Sequence, residues 1–269
     1  MNAEVLQHLA EKVGTPFWIG DAALLRQRIA AIKLLTEGVG LQARYAMKAC
    51  PATRILKEML EAGIWIDAVS GNEVLRAKRA GFPGSSILYT SDVFRDGAIA
   101  ILREHGVMPN LGSPGMLREL QTAGYAGPIS LRVNPGFGHG HVNACDTGGP
   151  SSKHGIWFSD ICDVAIRAER FGMSVTMLHA HIGSGPKFPE LLDNMRRLAK
   201  QFAESSRSSR SLRPSASAAG FRTIIAMRTI SLRWNRSGRC WRTRAPVFAA
   251  LRNVTCGWKS SRVVISSRP

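Results

Sequence analysis

Residues 44–50, with the sequence RYAMKAC, place a single lysine, Lys48, at the C-terminal end of an apolar strand. Lysine side chains are almost never fully buried unless they are paired, so one lysine alone indicates an ordinary solvated amine. The following residues change this interpretation, because Pro51 begins a helix whose apolar spacing stops at Gly63, and the same pattern then returns. Whether Lys48 is an ordinary surface amine or a functional residue therefore depends on the strand–helix repeat that begins with its strand.

The repeat is an apolar strand followed by an amphipathic helix, and it occurs six times. After the strand that ends at Lys48, the predicted strands cover residues 64–69, 87–90, 108–111, 129–134 and 175–181. One of the helices is predicted from Asp92 to Gly106, and an additional short strand is predicted over residues 15–19. Parallel strands with right-handed crossovers explain the alternation. The period favours an α/β fold of the (β/α)8 TIM-type barrel, although six units are also compatible with a doubly wound sheet.

The composition is that of a globular protein, with 269 residues of which 45% are hydrophobic. No apolar run approaches the roughly 20 residues that span a bilayer. The first residues contain acids and no hydrophobic signal region, so we expect a cytoplasmic protein without membrane contact. The five cysteines show no CxxC pair and no metal-ligand spacing, which argues against a structural zinc site and a disulfide framework.

The formal net charge of +17 is distributed unevenly. Residues 205–269 contain 13 Arg, one Lys and no acidic residue, a charge of +14, whereas residues 1–204 contain 22 basic and 19 acidic residues, a charge of +3. A basic chain normally suggests nucleic acid or an anionic surface as the partner. The basic residues of the tail show no periodic amphipathic pattern, so nucleic acid is not the expected partner.

Polar residues cluster where the predicted strands end. They are Lys48, Asp67, Ser91, Arg132, Asn134, His181 and Ser184. In a barrel of this kind the chemistry sits at the carboxyl ends of the strands. Capping of the next helix is a sufficient explanation for Ser91, but Lys48, Arg132 and His181 are poor N-caps. These three residues are therefore candidates for a functional site.

Four motifs carry a family resemblance. They are YAMKA at residues 45–49, LRVNPGFGHGH at 131–141, TGGPSSKHGIW at 147–157 and HAHIGSG at 179–185. Together they resemble the diaminopimelate decarboxylases, pyridoxal-phosphate enzymes of the alanine-racemase-like barrel class. The similarity covers roughly residues 15–204, and its most specific part runs from Arg132 to Trp157.

The resemblance implies pyridoxal 5'-phosphate as the cofactor and Lys48 as its Schiff-base lysine. Loss of CO2 from an α-amino acid leaves an electron pair, which the pyridinium ring of the cofactor takes up. The implied catalytic residues are Lys48 and His181, and the implied cofactor-binding residues are Lys48, Asp67, Arg132, His181, Gly183, Ser184 and Gly185. His181 would stack on the ring, and the GSG segment would hold the phosphate. Glycines suit such close backbone approach to an anion.

The same family has features that residues 205–269 lack. These are a Gly-Gly-Gly loop after the seventh strand, a Glu-Pro-Gly-Arg motif after the eighth, and a C-terminal β domain that completes shared active sites in a homodimer. Translation in the wrong frame explains the difference. With G/C-leaning codons, residues 206–229 read from the third base of each codon permit PELPVAAAVSIGGGIPHHYRDED, and residues 257–263 permit LEVEPGR. We therefore hypothesise an insertion or deletion near codons 204–206.

Two regions are expected from these observations. Residues 1–204 form the pyridoxal-phosphate-binding barrel portion, and residues 205–269 form a Ser/Arg-rich tail that is out of frame and not a native domain. The barrel is expected to be incomplete, with strands 1–6 recognisable and strands 7–8 and the β domain missing or scrambled. The edges of the first and sixth strands would then be unpaired, which favours aggregation.

The function implied by the resemblance is decarboxylation of meso-2,6-diaminopimelate, a small amino acid, to L-lysine and CO2 in lysine biosynthesis. A related ornithine- or arginine-type decarboxylase is the alternative, and the motif at residues 147–157 favours diaminopimelate. A non-catalytic remnant whose basic tail binds anions or nucleic acid is the alternative of another class. For the chain as written we expect little or no decarboxylase activity, and we leave its dimerisation open.

Overall fold

The computed structural model of the chain describes residues 3–37, 41–95, 97–138, 147–181, 183 and 188–208, together with four short strands in the tail. The helices are α1 (Ala3–Val13), α2 (Ala22–Glu37), α3 (Thr53–Glu61), α4 (Gly71–Arg79), α5 (Ala98–His105), α6 (Pro114–Thr122), α7 (Ile161–Arg170) and α8 (Phe188–Ser208). The strands are β1 (Leu41–Ala46), β2 (Trp65–Ala68), β3 (Ile87–Ser91), β4 (Met108–Leu111), β5 (Pro128–Asn134), β6 (Ile156–Trp157), β7 (Ser174–His181), β8 (Arg222–Ala226), β9 (Arg228–Thr229), β10 (Leu232–Arg233) and β11 (Val263–Ser267). None of the described helices is long and apolar enough to cross a membrane.

Six parallel strands form the main wall of the fold, in the order β7-β5-β4-β3-β2-β1. Neighbouring strands pair in parallel register along this whole path. Helices connect the strands in sequence, which parallel strands require because a tight hairpin cannot join them. The predicted α/β fold, an incomplete TIM-type barrel in which six strands are recognisable, is confirmed.

The strands are mostly apolar on the outer face, because helices cover it and remove it from water. Two large clusters of buried side chains pack between the sheet and its helices. One includes Leu56, Ile66 and Val74 near β1–β3, and the other includes Leu131 and Phe202 near β4–β7. These clusters hold the wall as one unit.

The inside of the wall changes from apolar to polar along the strands. Leu88 of β3 and Met177 of β7 pack together with Met108 of β4, so the sheet curls until strands that are not neighbours touch. Side chains two positions apart on a strand share a face. Two residues further along, the same inward face carries Asn110 and His179, both buried. The apolar layer therefore lies deep, and polar groups lie toward the carboxyl ends.

The edges of the six-stranded wall are paired, contrary to the expectation from the sequence. Strand β8 extends the wall in parallel beside β7, and β11 pairs with β1 in antiparallel register. Strands β8 and β11 also pair with each other. The unpaired backbone groups of an edge attract any available strand, which explains these contacts. The antiparallel direction of β11 differs from the parallel eighth strand of a (β/α)8 barrel.

Two local predictions are also wrong. Residues 15–19 are not a strand, because none of the described strands pairs with them, and Trp18 is fully exposed there. The helix predicted from Asp92 begins at Ala98 instead. Its N-cap is Gly97 with a φ of 72°, a left-handed conformation that prevents the helix from extending further toward Asp92. Asp92 is consequently a loop residue.

Candidate active site

The inward polar positions at the carboxyl ends of the strands bring most of the predicted site residues to one place. Asp67 pairs in register with Leu88, and Arg132 pairs with His179, so all of these share the inward face. Asp67 is 5% exposed and Arg132 is 8% exposed. A buried acid and a buried guanidinium at the carboxyl ends of parallel strands are typical of a functional site in this fold.

Lys48 lies in a turn of 3-10 helix, Met47–Ala49, directly after β1. Lys48 is exposed to solvent. The positive charge of Lys48 acts on the pKa values of Asp67 and His179, which places the amine within electrostatic range of β2 and β7. The lysine is therefore at a strand end, as predicted, and beside the other inward polar groups.

Asp67 is the buried acid of the site. Burial raises the pKa of Asp67 to about 6, against the opposing effects of the Thr90 hydroxyl and the charges of Lys48 and Arg44. Its Oδ1 atom has no hydrogen-bond partner among the described residues. A buried carboxyl oxygen without a partner is costly, and it is the kind of atom to which a bound ligand can donate.

The segment after Asp67 is held by a capping box, which the sequence SGNE at residues 70–73 encodes. The Glu73 amide donates to the Ser70 hydroxyl at 3.2 Å, and the Val69 amide donates to the Glu73 carboxylate at 2.8 Å. Burial raises the pKa of Glu73, while the Val69 amide and the charge of Lys48 oppose that effect. This box fixes the start of α4 and thus the end of β2.

Arg132 belongs to a charged cluster that the sequence did not predict. Its Nη1 donates to Asp92 Oδ1 at 2.8 Å, and His154 Nδ1 lies 2.6 Å from Asp92 Oδ2. Burial lowers the pKa of Arg132, and the negative charges of Asp92 and Asp67 oppose this. A Cβ atom on Gly112 would lie 3.0 Å from Asp92 Oδ1, so glycine leaves room for the carboxylate. One carboxylate thus contacts a guanidinium through one oxygen and an imidazole nitrogen through the other.

Residues 147–157, called the strap below, lie against the end of β5. Strand β6, at the end of the strap, pairs with Val133 and Asn134 of β5. The Asn134 side-chain amide donates to the Gly149 carbonyl at 3.3 Å. Gly155 has a φ of 85°, and a Cβ atom there would lie 2.8 Å from the Asn134 nitrogen. The strap follows the β5 backbone closely because this position is glycine.

His181 is half-buried at the end of β7, and the first residue of the strap contacts it. The Thr147 hydroxyl makes a short contact with His181 Nδ1 and donates to the His181 carbonyl at 3.1 Å. The Gly183 amide donates to the same ring nitrogen at 3.2 Å. Gly183 has a φ of 115°, a conformation that favours glycine. The ring of His181 is therefore held from two sides.

His179 is a second, fully enclosed imidazole two positions before His181. Burial lowers its pKa well below the ordinary value, and the nearby positive charges of Arg132, His181, Lys48 and Arg44 add to this effect. Its Nδ1 has no hydrogen-bond partner among the described residues. His179 is consequently a neutral imidazole at physiological pH, in the middle of a cationic group of side chains.

The residues present fit an anionic aldehyde cofactor of the pyridoxal phosphate type. An amine follows β1, a buried carboxyl oxygen without a described partner lies on β2, a guanidinium lies on β5 and two imidazoles lie on β7. Of the predicted cofactor-binding residues, Lys48, Asp67, Arg132, His181 and Gly183 lie at these strand ends. Ser184 and Gly185 lie outside the described residues. The individual roles of these residues stay predictions.

Sequence reasoning missed four residues of the site: Asp92, Thr147, His154 and His179. The signal for Asp92 was its position directly after a strand, which was interpreted as a helix start. His179 lies two positions before His181, and the period of two would have placed both on one face. Thr147 and His154 belong to a motif quoted for the resemblance, but their partners are distant in sequence and only the fold reveals them.

The fold and the site define an α/β-barrel protein with its functional groups at the carboxyl ends of parallel strands. The profile of the pyridoxal-dependent decarboxylases, pyridoxal binding domain, matches residues 23–213. The chain belongs to this family.

Curated relatives give a finer comparison. The diaminopimelate decarboxylase of Streptomyces coelicolor is 36% identical over 207 residues, which are 76% of this chain and 46% of that protein. The diaminopimelate decarboxylase of Escherichia coli is 37% identical over 195 residues, which are 71% of this chain and 45% of that protein. The chain thus spans about half the length of the curated relatives that it matches.

Two solved structures of diaminopimelate decarboxylases are also similar to this chain. A crystal structure of a diaminopimelate decarboxylase has a TM-score of 0.67 at 36% identity, covering 75% of this chain and 48% of that one. The Helicobacter pylori enzyme, crystallised with L-lysine, has a TM-score of 0.69 at 22% identity, covering 76% of this chain and 53% of that one. At this lower identity the likeness shows the fold.

Proposed function

We propose that this chain carries the lysine-bearing wall of a diaminopimelate decarboxylase, which converts meso-2,6-diaminopimelate to L-lysine and CO2. The observation that carries the proposal is that Lys48, Asp67, Arg132 and His181 lie at the carboxyl ends of β1, β2, β5 and β7 in one curled sheet. Family membership supports the cofactor, and the curated relatives support the reaction.

Each residue has a role that its surroundings allow. Lys48, an exposed residue directly after β1, would hold the cofactor through its aldehyde, and the cofactor would supply an electron sink for the pair left by CO2. Asp67 offers a buried oxygen for hydrogen bonding, and burial raises its pKa to about 6, so that it carries a proton only below about that pH. His181 would face the ring of the cofactor, and Arg132 would contribute positive charge beside it.

The phosphate would be held by the segment Gly183, Ser184 and Gly185, in which glycine permits backbone amides to approach an anion. The strap supports diaminopimelate over ornithine or arginine as substrate. It carries the motif TGGPSSKHGIW, and His154 of this motif lies beside Asp92 and Arg132 at the mouth of the site. The proposal includes a cytoplasmic location and a small amino acid as the substrate. The family resemblance implies a homodimer, and the dimerisation of this chain is left open.

The proposal also includes the division of the chain into residues 1–204 and 205–269. The antiparallel direction of β11 supports this division, because a native (β/α)8 barrel has only parallel strands. Without its native seventh and eighth strands, the wall lacks the cofactor contacts that these strands would supply from the other side of the site. We therefore expect the 269-residue chain to have little or no turnover, while Lys48 keeps its reactivity toward the cofactor.

The first experiment is reductive trapping. The purified chain is incubated with pyridoxal phosphate, reduced with borohydride and digested, and mass spectrometry locates the pyridoxyl group. We expect modification at Lys48 and none there in Lys48→Ala. Lys57, an exposed lysine of α3, is the matched control, and Lys57→Ala should leave the labelling of Lys48 unchanged. Labelling spread evenly over surface lysines would contradict the assignment of Lys48.

The second experiment measures turnover with meso-diaminopimelate, ornithine and arginine, by CO2 release. The chain as written should show no release above background. A version whose last part is read in the alternative frame should release CO2 from diaminopimelate in preference to the other two substrates. Release from ornithine or arginine in preference would identify the alternative decarboxylase class.

A further inference from the structure

We infer that Thr147 is a positioning residue for His181, and that the strap thereby controls the orientation of the imidazole. The inference deepens the proposed function, because His181 is expected to face the cofactor there. It starts from the contacts of one hydroxyl, which reaches both the ring nitrogen and the carbonyl oxygen of His181. The contact with the carbonyl oxygen holds the hydroxyl beside the His181 backbone, and the contact with Nδ1 then restrains the ring.

The hydroxyl of Thr147 has a chemical property that the other partner of the ring lacks. A backbone amide such as that of Gly183 can only donate a hydrogen bond, whereas a hydroxyl can both donate and accept. The Gly183 amide satisfies Nδ1 when this nitrogen carries no proton. Thr147 can also satisfy Nδ1 when the nitrogen carries one. The Gly183 amide is therefore the partner of an Nδ1 without a proton, and the Thr147 hydroxyl is the partner that can accept from an Nδ1 with one.

The strap that delivers Thr147 is itself fixed to the wall. Its middle accepts hydrogen bonds from Asn134, and Gly155 allows it to follow the β5 backbone. Its His154 lies against Asp92, which in turn binds Arg132. The strap thus contacts the surroundings of Arg132 at one end and His181 at the other. These contacts hold the strap, and Thr147 with it, against the strands of the wall.

The test compares three hydroxyl variants of the strap in the chain as it exists. Thr147→Val removes the hydroxyl at nearly constant shape, and Thr147→Ser restores it. Ser151→Ala removes an exposed hydroxyl of the same strap and is the matched control. Nitrogen-15 NMR of labelled histidine, without cofactor, reports on the ring, and His181→Asn assigns its signals.

We expect the Nδ1 resonance of His181 to move in Thr147→Val, to return in Thr147→Ser and to stay in place in Ser151→Ala. An unmoved resonance in Thr147→Val would overturn the inference. Pyridoxal phosphate titration then follows the visible absorbance and circular dichroism of the lysine-bound cofactor. We expect the affinity to fall about fivefold in Thr147→Val, the effect of one neutral hydrogen bond, with recovery in Thr147→Ser.

The two arms separate failure of the inference from failure of the proposed function. If wild-type Lys48 is not labelled by the cofactor, the proposed function fails, and the NMR arm still decides whether Thr147 holds the ring. If Lys48 is labelled but Thr147→Val matches wild type in affinity and in visible circular dichroism, the positioning role is wrong even when the Nδ1 resonance moves. Equal thermal stability of Thr147→Val and wild type excludes general unfolding as the cause.

Discussion

Asp92 Oδ1 accepts a hydrogen bond from Arg132 Nη1 at 2.8 Å, although 40 positions separate the two residues in sequence. The side chain of Arg132 is 10% exposed and that of Asp92 is 44% exposed. The acid therefore neutralises a largely buried cation from the rim of the site. Its second oxygen lies against His154 of the strap. A single loop acid after β3 thus joins the end of β5 to the strap.

Asp92→Asn should disturb both connections. Removing one partner of a fully buried ion pair lowers the free energy of unfolding by several kcal/mol. Because Asp92 is partly exposed, we expect a smaller loss of about 1–2 kcal/mol. Urea denaturation measures it. Asp160→Asn, an exposed acid on the turn after the strap, is the control and should change stability by less than about 0.5 kcal/mol. Equal effects of both substitutions would show that the Asp92 pair is unimportant.

Arg44→Met should destabilise the base of the wall. Arg44 is 2% exposed, and its Nη1 donates to the carbonyl oxygens of Ile66 and Ser86, both at 3.1 Å, while its guanidinium lies 4.7 Å from the centre of the Trp65 ring. Methionine fills a similar volume but leaves two buried carbonyl groups without these donors. We expect a loss of about 2–4 kcal/mol in unfolding experiments.

The control for Arg44 is another arginine on the same part of the fold. Arg54 is 78% exposed and pairs with Glu58 one helical turn away. An exposed pair of this kind contributes about 0.5 kcal/mol or less. Arg54→Met should therefore leave the unfolding midpoint almost unchanged, and a loss as large as that of Arg44→Met would contradict the argument from burial.

Asp67→Asn should make the chain more stable at alkaline pH. The folded-state pKa of Asp67 is raised to about 6, above its unfolded value of about 4, so the folded chain binds the proton more tightly. The stability from this proton is present below pH 4 and is lost as the pH rises through about 6. Asparagine cannot ionise and avoids the loss, which amounts to at most about 3 kcal/mol.

The measurement for Asp67 is the free energy of unfolding of both chains between pH 4 and pH 8. The advantage of Asp67→Asn should be large at pH 8 and should shrink toward pH 4. A difference that is independent of pH would contradict the raised pKa. The same substitution should weaken cofactor binding, because the carboxylate is replaced by a neutral amide.

Gly155→Ala should displace the strap. Its φ of 85° strains any other residue, and the new Cβ would lie 2.8 Å from the Asn134 nitrogen. Gly124→Ala is the matched control, because Gly124 has a φ of 67° but no atom within 4 Å of a new Cβ. Because its new Cβ meets no other atom, Gly124→Ala reports only the cost of the left-handed backbone conformation, about 1 kcal/mol in the free energy of unfolding. Hydrogen exchange of residues 147–157 should accelerate in Gly155→Ala and stay unchanged in Gly124→Ala, and equal exchange in both would contradict the steric argument.

The gene should contain an insertion or deletion near codons 204–206. Sequencing of the DNA across codons 200–270, read in all three frames, should reveal a GGG segment and an EPGR segment in the alternative frame. A clean sequence without such a reading would contradict the hypothesis. Helix α8 ends at Ser208, close to the proposed position of the change.

The strands were the most predictable part of the fold. Apolar runs bounded by Gly and Pro located β2, β3, β4, β5 and β7 close to their observed bounds, because parallel strands covered on both faces are predominantly apolar. The start of α5 was less predictable. A single left-handed Gly97 decides that boundary, and its conformation depends on packing that the local sequence does not record.

By itself the sequence determined the parallel wall, the place of Lys48 at its first strand end, and the family, because strand periodicity and short motifs are local properties. Only the tertiary structure decided that Asp92 binds Arg132, that Thr147 holds His181, and that His179 is buried and neutral. These relationships join residues from different strands and loops. Their energies depend on burial and on distances across the curled sheet, which exist only after the chain has folded around Lys48.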